Sequence, residues 1–154
     1  MVDTKNQESD PAKISYHVPC QLKYLALIRQ TALEICQRAG FSQSDAHQVE
    51  MVVDKACTNV MEHSYGGECE TSEDHDQNTI RVTFLEQDNS IEIEIIDQGT
   101  GFDYHFQPIQ NPDSYLANQN ERGLGMFIIE TFADAVYYER GTDRGNVLRL
   151  TKRR

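Results

Sequence analysis

Two short stretches, Asp97-Gln98-Gly99-Thr100-Gly101 and Arg122-Gly123-Leu124-Gly125, decide how this chain folds. The first follows Ile91-Glu92-Ile93-Glu94-Ile95-Ile96, an alternating apolar run that reads as a strand ending in an acid. The second opens Met126-Phe127-Ile128-Ile129, which reads as the start of a helix. Glycines stand where a side chain would obstruct close backbone approach. A glycine-rich turn feeding a helix N-terminus is a ready anion site, because free N–H groups and the helix dipole both favour phosphate. Together the two stretches propose a nucleotide pocket. Singly, Asp97-Gln98-Gly99 reads better as a turn.

Working outward, the pattern predicts a first strand over Lys13 to Pro19, with Ile14, Tyr16 and Val18 on one face. A helix is predicted from Leu22 to Ala39, with Gly40 closing it. Ser42 and Asp45 resemble a capping box that starts a second helix running to about His63. Two strands, Thr79 to Gln87 and Ser90 to Asp97, flank Asp88-Asn89 as a hairpin. Gly123 to Phe132 reads as a helix, and Ala135 to Glu139 and Asn146 to Thr151 as two closing strands around Gly141 to Gly145. Residues 1–12 read as a disordered lead-in, Glu68 to Asn78 as an acidic solvated loop, and Gly99 to Arg122 as a long lid. The expected fold is α+β, one domain over 13–154. It is a two-layer sandwich with helices on one face of a mainly antiparallel, mixed sheet.

The bulk composition narrows the function. With 154 residues the chain can bury a core of its own. A formal charge of -11 opposes non-specific binding to nucleic acid or anionic membrane. No apolar run approaches the roughly 20 residues of a membrane helix, and the polar N-terminus shows no signal-peptide core, so a cytoplasmic setting is expected. Cys20, Cys36, Cys57 and Cys69 show no metal-ligand spacing. The first three have apolar neighbours and are expected in the core, whereas Cys69 lies in a polar stretch.

Lys55, Asn59 and His63 are spaced by four and fall on one face of the second helix. That stripe reads either as a solvated face or as a site in which Asn59 offers a carbonyl oxygen to Mg²⁺. The order of Asn59, Asp97-x-Gly99-x-Gly101, a long lid and Gly123-x-Gly125 resembles the boxes of the GHKL (Bergerat-fold) ATPases. Within that superfamily the chain is most similar to the anti-sigma factor serine kinases of bacterial partner-switching systems. Its flanks, Ala56-Cys57-Thr58, His63-Ser64-Tyr65 and the tail Gly145 to Leu150, share the likeness, which runs from about Ile14 to Lys152. The resemblance implies that ATP and Mg²⁺ are the cofactors, with Asp97 accepting from the adenine amino group and Gly99 and Gly101 passing close to the base. It implies that Asn59 holds Mg²⁺, that the Gly123-Leu124-Gly125 amides cradle phosphates, and that Arg122 adds a charged donor. A sigma factor and a STAS-type anti-anti-sigma protein are the implied partners, and a homodimer through the first strand and first helix is the family's habit.

Two positions depart from the family's pattern. Its general-base Glu, four residues before the Asn, is here Lys55, and an ammonium has no lone pair with which to accept a proton. Asp54 is adjacent, but one residue along a helix is a rotation of about 100°, so it should face away from Asn59. Asn146 stands where some relatives carry a threonine hydroxyl beside the adenine. Three functions follow. One is an anti-sigma protein-serine kinase, slowed rather than abolished by loss of a base. Another is a catalytically impaired, nucleotide-dependent binding switch. The third, an ATP-binding domain of histidine-kinase type, would need a dimerisation helix pair with a phospho-acceptor His that this sequence does not show.

Overall fold

The computed structural model describes residues 11–65, 78–102 and 124–154. The element order is β1 (Lys13–Pro19), a 3-10 turn (Leu22–Tyr24), α1 (Leu25–Arg38), α2 (Gln43–Asn59), a π turn (Val60–Ser64), β2 (Thr79–Glu86), β3 (Ser90–Asp97), α3 (Leu124–Phe132), β4 (Ala135–Thr142) and β5 (Gly145–Arg153). Most of the predicted lead-in, nearly all of the acidic loop and the lid beyond Phe102 lie outside the described residues. Ala12 is described, and its carbonyl accepts from Glu86 N at 2.9 Å, which extends the edge ladder.

The strands lie side by side in the order β1-β2-β3-β5-β4. All four pairings among the described residues are antiparallel. The expected α+β sandwich with a mainly antiparallel sheet is borne out, and among the described residues no parallel pairing makes it mixed: β5 enters between β3 and β4 and runs against both. One face is covered by the helices, with α2 in the middle packing against α1 and α3. Alternation produces that layer. Ile91, Ile93 and Ile95 are at most 1% exposed, while Glu92 and Glu94 point the other way, because successive side chains leave opposite faces of a strand. Each such isoleucine contributes about 1.5–3 kcal/mol by leaving water. Ile80, Val82, Phe84, Leu148 and Leu150 complete the sheet's inner face, and Ile28, Val49, Val53 and Val60 meet it from above.

Local signals set the boundaries. Gly40 takes φ +80° just beyond α1, a conformation that spares the last carbonyls and that L side chains avoid. Ser42 Oγ accepts from Asp45 N at 3.1 Å and donates to Asp45 Oδ2 at 2.8 Å, so the cap works through the hydroxyl in both directions. The second helix does not continue as an α-helix to His63. It ends at Asn59 and widens into the π turn, a feature common at functional sites. β4 and β5 are longer than predicted and close on Asp143-Arg144, with a bulge between Glu139 and Thr142. Cys36 and Cys57 are buried free thiols. Burial pushes Cys36 up to about 12 and drives Cys57 higher still, so both pack as apolar groups. Cys20 is buried as well, but as a disulfide half rather than a free thiol.

On the opposite face of the sheet, Glu94 takes hydrogen bonds from Arg144 Nη2 and from Arg149 Nε, the latter at 2.8 Å. Burial alone would raise the Glu94 carboxyl, but the hydrogen bonds and charges of the two arginines outweigh it and lower its pKa. A depressed folded-state value stabilises the fold above the usual glutamate range of about 4.3 and loses that contribution as pH falls through the folded value. Glu94→Gln is therefore expected to lower Tm at pH 7 by roughly 2–4 °C, on the order of 1 kcal/mol. The gap should close as pH falls through the folded value; a gap that stays constant from pH 7 down through the acid range would refute the ion-pair origin.

Candidate nucleotide-binding site

The site has two ends, one at the end of α2 and the other at the π turn that follows it. At the first end the start of α3 lies against Lys55 and Asn59. A Cβ built on Gly125 would come within 3.3 Å of Asn59 Oδ1 and 3.7 Å of Lys55 Cβ. Asn59 donates through Nδ2 to the Met126 thioether sulfur at 3.0 Å. Thus Asn59 and Gly125, far apart in sequence, form one corner. Leu124 opens the helix there, and its first N–H groups lack partners within the helix. Arg122 and Gly123 lie outside the described residues. His63 lies in the π turn, its ring centroid 6.2 Å from that of Phe102.

Lys55 reaches its neighbour: Nζ is 3.1 Å from Asp54 Oδ2. The other carboxylate oxygen of Asp54 faces Arg29 of α1, with Nε at 3.7 Å. Asp54 is accordingly held between two cations on the α1 side, as its position along the helix predicts.

At the second end Asp97, only 1% exposed, closes β3. Its Oδ1 accepts from Ser64 Oγ, from Gly99 N at 2.9 Å and from Asn146 Nδ2 at 2.8 Å. Asn146 also donates to Gly99 O at 3.0 Å and accepts from Gly141 N at 3.0 Å. Strand pairing places Asn146 opposite Asp97, which lets this amide reach the carboxylate.

The loop after Asp97 is seated on the π turn. Thr100 N and Oγ1 both donate to Ser64 O, at 2.8 and 3.0 Å, and Gly101 N donates to Ser64 Oγ at 3.1 Å. A Cβ at Gly99 would lie 2.2 Å from Ser64 O. The glycine is needed first for this packing of loop on helix end. Gly101 has φ +72°, and a Cβ there would meet the Tyr138 hydroxyl at 2.8 Å. Tyr65 OH bridges Thr79 O at 2.9 Å and Gln98 N at 3.0 Å. Burial raises its pKa, keeping the phenol a neutral donor. Phe102 stacks on Tyr138 with ring centroids 4.5 Å apart, which ends the described part of the loop on an aromatic step.

Ser64 and Asn146 are the residues that sequence reading passed over. Ser64 stood out only as part of a flank, and Asn146 only as a departure. Their polarity beside glycine-rich turns was the available signal.

Among the described residues no three His, Cys, Asp or Glu side chains gather as a metal centre. A Mg²⁺ held by Asn59 would draw its other ligands from phosphates and water, as this cation commonly does. A buried strand-end carboxylate at Asp97, an asparagine at the end of α2 and a glycine in the first turn of α3 occur together in a two-layer α+β sandwich. The chain belongs to the histidine kinase-like ATPase domain family, whose pattern it matches over residues 18–152. It is 29% identical over 147 residues to the serine-protein kinase RsbW of Bacillus thuringiensis and to that of Bacillus anthracis, covering 91% of this chain and 84% of each relative. Its fold is similar to the crystal structure of the RsbU and RsbW domains of Rv1364c from Mycobacterium tuberculosis, with TM-score 0.58 and 14% identity. That match covers 92% of this chain and 32% of the other, about a third of its length. Among the described residues no helix is long and apolar enough to cross a membrane.

Proposed function

We propose that the chain is an ATP-binding anti-sigma regulatory factor and slow protein-serine kinase, which binds a sigma factor and acts on a serine of a STAS-type antagonist. Relatives named serine-protein kinases support the class. The observation that carries the nucleotide reading is the corner where a side chain on Gly125 would crowd Asn59 Oδ1, a built Cβ lying 3.3 Å from it. It puts a neutral oxygen ligand beside a helix N-terminus, where a divalent cation and phosphates can be held together. Bound ATP supplies the phosphoryl group. Asn59 positions the cation, Asp97 offers an acceptor to the base, and the start of α3 offers N–H donors. Lys55, paired with Asp54 beside that corner, is a point charge available to phosphate. This pairing favours the second reading, a binding switch that holds nucleotide and transfers little.

Calorimetric titration tests the site. ATP should bind the unsubstituted chain more tightly with Mg²⁺ than without. Asn59→Ala should lose about tenfold or more of the Mg²⁺-dependent affinity and little of the rest. Equal losses would remove the metal role, and no binding at millimolar ATP would remove the nucleotide reading.

We further propose a cytoplasmic homodimer joined through β1 and the first helix. β1 is an edge strand, and Ile14, Leu22 and Leu27 are 47%, 43% and 55% exposed. An edge strand with apolar neighbours invites pairing. Sedimentation at micromolar concentration should give twice the 17.6 kDa chain mass, and a monomer would exclude it.

A further inference from the structure

We propose that Ser64 and Asn146 are positioning residues that make the site discriminate between 6-amino and 6-oxo purines. The inference rests on the nucleotide reading above. It starts from the unequal use of the two Asp97 oxygens. Oδ1 takes three donors, from Ser64 Oγ, Gly99 N and Asn146 Nδ2. Oδ2 has no hydrogen-bond partner among the described residues.

The donors are fixed by their own partners. Ser64 Oγ accepts from Gly101 N at 3.1 Å, so its single hydrogen is free to go to Asp97. The Asn146 amide can stand only one way round. Its oxygen must face the Gly141 N–H, and its nitrogen must face both Gly99 O and Asp97. Asp97, Ser64 and Asn146 are 1%, 1% and 3% exposed, so water competes little for these bonds.

The carboxylate is thereby clamped at one oxygen, and the other is presented as an acceptor. A base edge carrying an exocyclic N–H satisfies it. A 6-oxo edge sets acceptor against acceptor and leaves both short of a donor, which is costly at a buried group. Removing a clamp donor changes that balance. The carboxyl gains freedom to turn, so an oxygen is no longer held against an acceptor edge and the penalty on a 6-oxo group falls more than the binding of a 6-amino group.

The test compares ATP with inosine triphosphate, which differs at this edge, by titration of the full chain and of Ser64→Ala, Asn146→Ala and the near-isosteric Ser64→Cys. The unsubstituted chain should prefer ATP by about 100-fold. Ser64→Ala and Asn146→Ala should compress the ratio to below about tenfold, with Ser64→Cys in between, since a thiol is a weak donor. A merely structural role would weaken both nucleotides alike and leave the ratio standing. That result, in any variant with a cooperative melt, would overturn the proposal while leaving the ATP site intact. Equal binding of both nucleotides by the unsubstituted chain would overturn it too. Failure of that chain to bind ATP at all would overturn the nucleotide reading and this inference with it.

Discussion

Lys55→Glu is expected to raise phosphotransfer to a STAS-type serine by a factor of roughly 10² to 10⁴ over the unsubstituted chain. The position faces the site: Lys55 Cβ lies beside the place a Gly125 side chain would fill, one helical turn before Asn59. A carboxylate there can take the proton of an attacking hydroxyl, and an ammonium cannot. Asp54 does not supply the missing base in this arrangement, because Arg29 and Lys55 hold it on the α1 side. The substitution also removes a cation from the phosphate end, so ATP affinity should fall while transfer per bound ATP rises. Single-turnover transfer from labelled ATP separates the two. An unsubstituted chain already as fast as the variant would show that positioning and charge suffice without a base.

Gly99→Ala should cost the fold about 1–3 kcal/mol, a fall of roughly 3–10 °C in Tm, together with most of the ATP affinity. The added Cβ would stand 2.2 Å from the Ser64 carbonyl oxygen, a backbone atom that cannot swing away. That carbonyl also takes the Thr100 N–H at 2.8 Å. The loop must therefore lift from the π turn, taking its contacts with Ser64 along. Gly141→Ala is the control. Its φ of +69° carries a strain of about 1 kcal/mol, but nothing lies within 4 Å of the new Cβ, so ATP binding should persist. Native melting and binding in Gly99→Ala would show that the loop is not seated as described.

The amino-acid sequence by itself determined the layers and the placing of the glycine turns. Alternation in Ile91 to Ile95 assigned one face of β3 to the core, and the caps at Gly40 and Ser42 bounded the first two helices. These are local effects, set by a period of two, a period near 3.6 and the dihedral freedom of single residues. The order Asn59, Asp97, Gly123-x-Gly125 was legible too, and with it the family. Only the tertiary structure decided what Asp97 is bonded to, because Ser64 lies 33 residues before it and Asn146 lies 49 after. Those contacts arise from the insertion of β5 beside β3 and from the π turn that ends α2. Neither leaves a periodic signature in the chain. The packing likewise set the His63 ring beside Phe102 and turned Lys55 onto Asp54. Short-range sterics fix which residues form strands and turns, and strand order fixes which distant polar groups meet.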